Sequence, residues 1–298
     1  MPGQGAQVPG MLAPWLDDAR KKLISTWSLH IDLDLERLGT TASAEEIRDT
    51  ANAQPLIVAA GLLGADALGI DNFSVVAGHS VGEITAAGIS KVLSPVNALE
   101  LVRQRGIAMA KAASENQTGM SAVLGGDRSE VLKAIAEFGL VAANDNGAGQ
   151  IVAAGSLEAL DKLNENPPNG ARVRALAVAG AFHTHFMQKA VEHVDQFSKQ
   201  LTINDPVKQL LSNRDGAVVT NGQDAITRIV NQIANPVRWD LCMESLLQLG
   251  VTGAIELPPA GTLVGLLKRA TPSIETFALK SPDDLPAALE FATKHGGA

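Results

Sequence analysis

The chain contains a single cysteine, Cys242, among its 298 residues. One thiol excludes an internal disulfide and any zinc site built from several cysteines, and it fits a reducing compartment. No histidine pair compensates, because the nearest two, His183 and His185, lie in a segment that is predicted to be extended. We therefore expect a cytoplasmic protein without a metal site.

Long apolar runs and basic patches are also scarce. The longest apolar runs, such as residues 56–63, fall short of the roughly 20 residues that cross a bilayer. The N-terminus has no basic segment leading into an apolar one, so we expect no secretory signal. The net charge is −8, and no basic stripe is present to neutralise phosphates. We expect neither a membrane nor a nucleic acid as a partner.

The rest of the composition is that of a folded globular protein, with 46% hydrophobic and 19% charged residues. In the first third, segment 74–78 is a predicted strand, and it is followed by predicted helices over 83–89 and 95–109. Segment 54–68, rich in alanine, predicts a buried helix, and a helix over 187–201 continues the pattern later. This pattern indicates an α/β fold.

The middle of the chain has a different pattern. Strands and helices are predicted there in the order βαββαβ, which is typical of a ferredoxin-like unit. The segments are strands 120–124, 140–144, 150–154 and 172–178, and helices 128–138 and 156–164. We predict a small ferredoxin-like α+β subdomain over 115–182, inserted into a large α/β domain formed by 1–114 and 183–298.

Residues 78–82 form a G-x-S-x-G motif centred on Ser80. A predicted strand precedes the motif and a predicted helix follows it, which is the setting of the sharp turn that exposes a nucleophilic serine. Glycine is needed on both sides because a Cβ there would clash with neighbouring backbone. The alternative is a glycine-rich turn whose serine only caps the next helix.

A serine nucleophile requires a base, and six histidines are available. His183 lies where the chain returns from the predicted insert, so segments of both domains would meet there. We take it as the candidate base, against the alternative of an interior histidine with satisfied hydrogen bonds. The glycine-rich segment 2–7 matches neither a P-loop nor a dinucleotide fingerprint. Beside a nucleophile turn, its N–H groups would complete an oxyanion hole.

Five motifs in this order resemble one family, the malonyl-CoA:acyl carrier protein transacylases of bacterial fatty-acid synthesis. More loosely they resemble the acyltransferase domains of polyketide synthases. The motifs are Pro-Gly-Gln-Gly-Ala-Gln at 2–7, Gly-His-Ser-Val-Gly-Glu at 78–83, Arg105-Gly106 with Met109, Gly-Ala-Phe-His at 180–183 and Asn-Pro-Val-Arg-Trp at 235–239. The resemblance implies a large α/β hydrolase-like domain with a parallel sheet plus the small inserted subdomain.

The resemblance also implies roles for individual residues. Ser80 is the acylated nucleophile and His183 is its general base. The backbone N–H groups of Gln4 and Val81 form the oxyanion hole. Gln232 orients the histidine through its main-chain carbonyl, so no acidic third residue is required.

Four substrate contacts are implied in the same way. Arg105 holds the free carboxylate of the malonyl group by a two-pronged grip that lysine cannot offer. Met109 and Phe182 line the acyl pocket, and Asn146 approaches the site. From the residues alone, the preferred interpretation of Arg105 is a helix-surface charge paired with Glu100.

We therefore predict an enzyme that moves malonyl from malonyl-CoA to the phosphopantetheine thiol of acyl carrier protein. The reaction is ping-pong, passes through a malonyl-serine ester and uses no metal or redox cofactor, the coenzyme A thioester being a substrate. Two alternatives stay open. One is a serine thioesterase that uses the same Ser80–His183 pair, and the other is a catalytically inactive binding domain.

The carrier proteins of this family are acidic, whereas the chain itself is net negative. Docking would therefore require a local basic patch. The candidates are Lys268 with Arg269, and Arg172 with Arg174.

One feature departs from the family. An apolar strand usually precedes the Pro-Gly-Gln-Gly segment, whereas only Met1 precedes it here. Loss of a central parallel strand would expose backbone groups and apolar surface of its neighbours. It would also disturb the proposed oxyanion hole at Gln4.

Overall fold

The computed structural model describes residues 1–296, which form twelve α-helices and ten β-strands. The helices are α1 Asp18–Ile31, α2 Leu35–Thr40, α3 Thr50–Leu68, α4 Gly82–Ile89, α5 Pro95–Ser114, α6 Arg128–Glu137, α7 Leu157–Glu165, α8 Gln188–Ser198, α9 Gly222–Asn231, α10 Trp239–Gln248, α11 Thr262–Ala270 and α12 Leu285–His295. The strands are β1 Val75–Val76, β2 Thr118–Gly125, β3 Val141–Asp145, β4 Gln150–Ser156, β5 Ala171–Ala175, β6 Gln209–Leu211, β7 Val218–Val219, β8 Val237–Arg238, β9 Gly253–Glu256 and β10 Glu275–Ala278. The chain is thus a mixed α/β protein.

The ends of the helices follow from local chemistry. The Asp49 side chain accepts a backbone N–H at the start of α3, and Gly69, in the left-handed region at φ 60°, ends that helix. Ser94 caps α5, and Pro95 occupies its first position, where no intrahelical donor is needed. Ser156 caps α7, which lies within one residue of the helix predicted over 156–164.

Helix α3 lies at the centre of the larger part of the molecule. Residues 53–64 are buried without interruption, and the helix packs against α4 and α5. It is long and apolar enough to cross a membrane, but 72% of its most apolar window is buried inside the protein. The prediction of a buried helix over 54–68 is confirmed, and α3 is a core helix.

A mixed sheet is formed by the middle of the chain, with strands in the order β5-β2-β4-β3-β8. The first four pair antiparallel, whereas β8 joins β3 in parallel. Side chains of β4 alternate between two cores: Val152 and Ala154 face the main core, while Ile151 and Ala153 face a cluster under α6 and α7. The order βαββαβ predicted for this segment is present.

The other strands are short and form two separate sheets. In one, β1 pairs parallel with β6, and β6 pairs antiparallel with β7; in the other, β9 and β10 pair in parallel. Among residues 1–296, the expected parallel sheet is therefore present only as single parallel pairs, one in each of the three sheets. Beyond β1, backbone hydrogen bonds run to Met1, whose nitrogen donates to Ala77 O at 2.8 Å and whose carbonyl accepts from His79 N at 3.0 Å.

Candidate active site

Ser80 lies in a tight turn between β1 and α4, in the left-handed region of the backbone at φ 52°. A Cβ on Gly78 would lie 2.0 Å from the backbone of Gly82, and one on Gly82 would lie 2.4 Å from the carbonyl oxygen of Met1. Both glycines of the motif are therefore required by close approach of backbone. The turn is a strained strand-to-helix connection of the kind that presents a nucleophile.

His183 lies next to Ser80 and is aligned by a backbone carbonyl. Its Nε2 is 2.7 Å from Ser80 Oγ, and its Nδ1 is 2.7 Å from Gln232 O. Because a carbonyl can only accept, Nδ1 carries the hydrogen in the neutral ring. Nε2 is then left with a lone pair for the serine hydroxyl proton.

The backbone and the charge state of His183 are also unusual. The residue has φ 61°, and its N–H donates to Ile233 O at 3.1 Å, which ties it to the 3₁₀ turn Gln232–Ala234. Burial, followed by the nearby charge of Arg105, lowers the pKa of His183 to about 3. The imidazole is therefore neutral at physiological pH and able to accept a proton.

Arg105 is 1% exposed and does not contact Glu100, so the interpretation as a surface ion pair is wrong. It lies on the buried face of α5, in step with Val102 and Met109. One amino group donates to Gln54 Oε1 at 2.7 Å. Burial lowers the pKa of Arg105 to about 10, so the group stays charged at neutral pH.

The second amino group of Arg105 faces the serine. It donates to Gln232 Oε1 at 3.0 Å and lies 3.4 Å from Ser80 Oγ. The Nε atom is buried and has no partner among the described residues. A buried guanidinium beside the candidate nucleophile thus keeps an unused donor, which suits an added carboxylate.

The two predicted oxyanion-hole residues flank this arrangement. Val81 follows Ser80 directly, and the side chain of Gln4 donates to Thr50 Oγ1 at 3.2 Å and accepts from Gln54 Nε2 at 3.3 Å. Within residues 1–296, neither the Gln4 N–H nor the Val81 N–H donates an internal hydrogen bond. Both donors are therefore free for a developing oxyanion.

The three remaining predicted substrate contacts, Met109, Phe182 and Asn146, are also buried. Met109 is 1% exposed, and its sulfur accepts from Gln54 Nε2 at 3.4 Å; Phe182, which precedes the histidine, is 5% exposed. Asn146 accepts from His79 Nε2 at 2.8 Å, and the His79 ring also lies edge-on to Trp239. Asn146 is thus hydrogen-bonded to the residue that precedes Ser80 in the chain.

Three further site residues were not singled out from the sequence. Gln54 bridges Arg105 and the Gln4 loop, and it is the only polar side chain in the buried run 53–64, which is a detectable signal. Glu83 is the one charged residue of the buried helix α4, and burial raises its pKa to about 7. Asn213, which contacts the serine backbone, lies in a loop and carries no such signal.

This arrangement can perform acyl transfer through a serine ester. It offers a hydroxyl aligned with a neutral base, two free N–H donors, and a buried cation within reach of the bound acyl group. The cation favours an acyl group that carries its own negative charge.

Known proteins are similar to this chain in sequence and in overall fold. A family model described as the acyl transferase domain matches residues 1–283. The chain is 52% identical over 290 residues to a malonyl CoA-acyl carrier protein transacylase of Mycobacterium tuberculosis, covering 95% of this chain and 96% of that protein. It is 31% identical over 306 residues to the protein of the same name from Escherichia coli K12, covering 97% of each.

Solved structures agree. A crystal structure of MCAT from Mycobacterium tuberculosis superposes with a TM-score of 0.93 and 52% identity, over 97% of each chain. The malonyl-transacylase in a complex with its type II PKS acyl-carrier protein superposes with a TM-score of 0.91 and 28% identity, again over 97% of each chain.

Proposed function

Because the chain belongs to the acyl transferase family and, within it, to the malonyl CoA-acyl carrier protein transacylases, we infer that it moves malonyl from malonyl-CoA to an acyl carrier protein. It is an S-malonyltransferase whose partners are the coenzyme A thioester and the carrier. The reaction serves fatty-acid synthesis, and the neighbour bound to a type II PKS carrier extends the link to polyketide synthesis.

In the proposed first step, His183 Nε2 takes the proton of Ser80 Oγ while the oxygen attacks the thioester carbonyl. The carbonyl oxygen becomes negative and accepts hydrogen bonds from the N–H groups of Gln4 and Val81. The C–S bond then breaks, and the coenzyme A sulfur receives the proton from His183. The product is a malonyl ester on Ser80. The contact of 2.7 Å between Oγ and Nε2 supports this step.

The second step reverses the first with a different thiol. The phosphopantetheine thiol of the carrier gives its proton to His183, and its sulfur attacks the ester carbonyl. The bond from carbon to Ser80 Oγ breaks, and the proton returns to Oγ. Every proton and bond is accounted for by the serine, the histidine and the two thiols, so we propose a reaction without a metal or redox cofactor.

The observation that carries the choice of acyl group is the buried Arg105, whose Nε has no hydrogen-bond partner among residues 1–296. In our proposal this guanidinium pairs with the free carboxylate of malonyl, while Met109 and Phe182 bound the apolar side of the pocket. Asn146 contacts the substrate from the side of His79. A thioesterase for neutral acyl chains would gain nothing from a desolvated cation, which disfavours the hydrolase alternative.

We further propose the division of the fold made from the sequence. The segments 1–114 and 183–298 form an α/β hydrolase-like domain, which the parallel pairs and the strand-turn-helix at Ser80 support. Segment 115–182 forms a ferredoxin-like subdomain. The antiparallel order β5-β2-β4-β3 supports it, because it is the strand order of that unit. We also propose a cytoplasmic location, on the basis of the single buried Cys242.

The test is mass spectrometry of the intact chain after mixing with malonyl-CoA, followed by peptide mapping. We expect a stoichiometric malonyl adduct on Ser80 that disappears when carrier protein is added. An adduct on another residue would refute the assignment of the nucleophile. An adduct that is lost to water as fast as to carrier would favour the hydrolase.

A further inference from the structure

The turn that carries Ser80 is hydrogen-bonded by Asn213, a residue that takes no part in the steps of the proposed reaction. Asn213 is fully buried and follows β6 in the chain. We propose that Asn213 is the positioning residue of the Ser80 nucleophile, and that Glu83 holds Asn213 in place. The proposal rests on the function proposed above.

The amide of Asn213 spans the nucleophile turn. Its Oδ1 accepts from Ser80 N at 2.8 Å, and its Nδ2 donates to Gly78 O at 2.7 Å. One side chain thus satisfies two buried backbone groups on either side of the turn. Only a primary amide offers an acceptor and a donor at this length, because aspartate lacks the donor and leucine lacks both.

This clamp acts where the backbone is strained. Ser80 has φ 52°, a region that is unfavourable for a residue with a Cβ. Without the two hydrogen bonds, the turn would relax toward a more ordinary conformation and carry Oγ away from His183 Nε2. A displacement of about 1 Å in a reacting atom lowers a rate by about 100-fold.

The same amide is coupled to the other two functional groups through Gln232. Asn213 Oδ1 also accepts from Gln232 Nε2 at 3.1 Å. The main-chain carbonyl of Gln232 aligns His183, and its side-chain oxygen accepts from Arg105. Nucleophile, base and cation are therefore set relative to one another by one buried hydrogen-bond network.

Glu83 closes this network. One of its carboxylate oxygens accepts from Asn213 N at 3.0 Å, and the other accepts from Gln232 Nε2. Since Glu83 lies in the first turn of α4, it fixes both amides to the helix that begins just after the serine. It touches none of the reacting atoms and acts through Asn213 and Gln232.

The experiment is single-turnover acylation of the full chain by radiolabelled malonyl-CoA in a rapid-quench instrument. It yields a rate constant at saturation, a half-saturating concentration and an amplitude in malonyl groups per chain. The variants are Asn213→Ala and the volume-conserving Asn213→Asp. The control is Leu163→Ala, in the apolar cluster under α6 and α7, because it lowers the free energy of unfolding without changing the site. A fluorophosphonate probe of Ser80 reactivity gives a second readout that needs no malonyl recognition.

For Asn213→Ala we expect the saturating rate to fall by about 100-fold, with the half-saturating concentration and the amplitude within about twofold of wild type. Asn213→Asp, which keeps the acceptor for Ser80 N, should lie between Ala and wild type. Labelling by the fluorophosphonate should slow in parallel. Leu163→Ala should acylate at the wild-type rate per folded chain.

Two results would overturn the proposal: an Asn213→Ala rate within about threefold of wild type, or a loss confined to the amplitude, as unfolding would give. If Asn213→Ala does not fold, the same criteria apply to Asn213→Asp. Failure of wild-type protein to take up malonyl while the probe still labels Ser80 would instead refute the proposed function, and the probe rates would still decide the role of Asn213.

Discussion

The turn around Ser80 and the apolar cluster under α6 and α7 are both buried, but they are surrounded by opposite kinds of side chain. The turn is surrounded by Glu83, Arg105 and His183, and burial shifts the pKa of each of them. The cluster is entirely apolar. Its buried members are Val123, Val131, Ile135, Leu140, Ile151, Ala153, Leu160 and Leu163. Burial of ionisable groups at the turn costs free energy of folding, whereas burial of apolar side chains in the cluster stabilises the fold.

Backbone strain divides the two regions less sharply than buried charge does. Ser80 and His183 both adopt positive φ although they carry side chains. In segment 115–182, the turns at Gly125 and Gly170 adopt positive φ at little cost, because glycine has no Cβ, although Ala148 does so with a side chain. The buried ionisable groups Glu83, Arg105 and His183 therefore lie where chemistry occurs, and the apolar cores offset the cost of burying them.

The largest expected effect is that of Ser80→Ala. The change removes one hydroxyl from the strained turn and should abolish malonyl-enzyme formation while leaving the fold intact. Intact-mass spectrometry after addition of malonyl-CoA measures the adduct, and circular dichroism checks the fold. A variant that is still labelled stoichiometrically would place the nucleophile elsewhere.

Arg105→Ala should have the next largest effect, on the choice of acyl group. Acetyl-CoA leaves the guanidinium desolvated and unpaired, and sites built around a buried polar partner reject such analogues by about 10⁴–10⁵-fold. The variant should lose most malonyl transfer and gain some acetyl transfer. Removal of the charge also raises the pKa of His183, because Arg105 is the second cause of its depression.

Acylation rates with the two thioesters on wild type, Arg105→Ala and Arg105→Lys measure this selectivity. The lysine variant should recover only part of the malonyl rate, since an ammonium cannot reproduce the two-pronged contact. If Arg105→Ala still prefers malonyl over acetyl by a factor close to that of wild type, another group reads the carboxylate.

How far each region could be predicted from the sequence follows from the range of its interactions. The strands and helices of segment 115–182 were predicted because their signals are local, as in the apolar runs of β2 and β4. The turn at Ser80 was predicted for the same reason, from the spacing of its glycines. Pairing of the short strands β1, β6 and β7 joins distant segments and left no comparable pattern.

The polar network was harder to predict because its partners are far apart in the chain. Asn213 lies 133 residues from Ser80, and Gln232 lies 127 residues from Arg105. The position of Arg105 in the site followed from a resemblance between motifs and not from periodicity. His183 was chosen among the six histidines by its place at the return from the predicted insert. Yet the apolar face of α5 includes Arg105 between Val102 and Met109, and that spacing indicates a buried position.

Acid should affect the two regions differently. The pKa of His183 in the folded protein is about 3, against an ordinary value of 6.5. Between pH 3 and pH 6.5 the native protein therefore binds fewer protons than the unfolded chain. Its contribution to stability is complete above pH 6.5 and is lost as the pH falls toward 3, by up to about 5 kcal/mol at 1.36 kcal/mol per unit. Replacement of the histidine should therefore flatten the loss of stability in acid.

Urea unfolding of wild type and His183→Gln at several pH values between 4 and 7 tests this. The raised pKa of Glu83 has the opposite sign, since its contribution is lost as pH rises. The difference between the two proteins, and not the wild-type curve, isolates the histidine. Parallel curves would mean that His183 is not a buried neutral group.

Leu163→Ala should lower the stability of the protein without changing its acylation rate. Truncation of this fully buried leucine leaves a cavity and should cost about 2–5 kcal/mol in the free energy of unfolding. Because the cluster contains none of the site residues, the acylation rate per folded chain should not change. Urea unfolding and single-turnover acylation are the measurements, and a slower rate at full amplitude would show that the two regions are coupled.

The smallest expected effect concerns two pairs of exposed basic residues. Arg172 and Arg174 are exposed on β5, at the edge of the sheet, as are Lys268 and Arg269 at the end of α11. An acidic carrier attracted by either pair would associate more slowly as salt screens the charges, by a few-fold between low and physiological ionic strength. Acylation by malonyl-CoA should respond differently, because it does not involve that surface.

Transfer from the malonyl-enzyme to carrier protein, followed at several salt concentrations, measures this effect. We expect the Arg172→Ala/Arg174→Ala variant to transfer more slowly at low salt and to lose part of the salt dependence, because charges at the rim of an interface act mainly on the association rate. Lys268→Ala/Arg269→Ala is the matched control, since it removes the same charge from a different surface. If only that variant changes the salt dependence, the carrier docks at α11, and if transfer is independent of salt in wild type, neither pair guides docking.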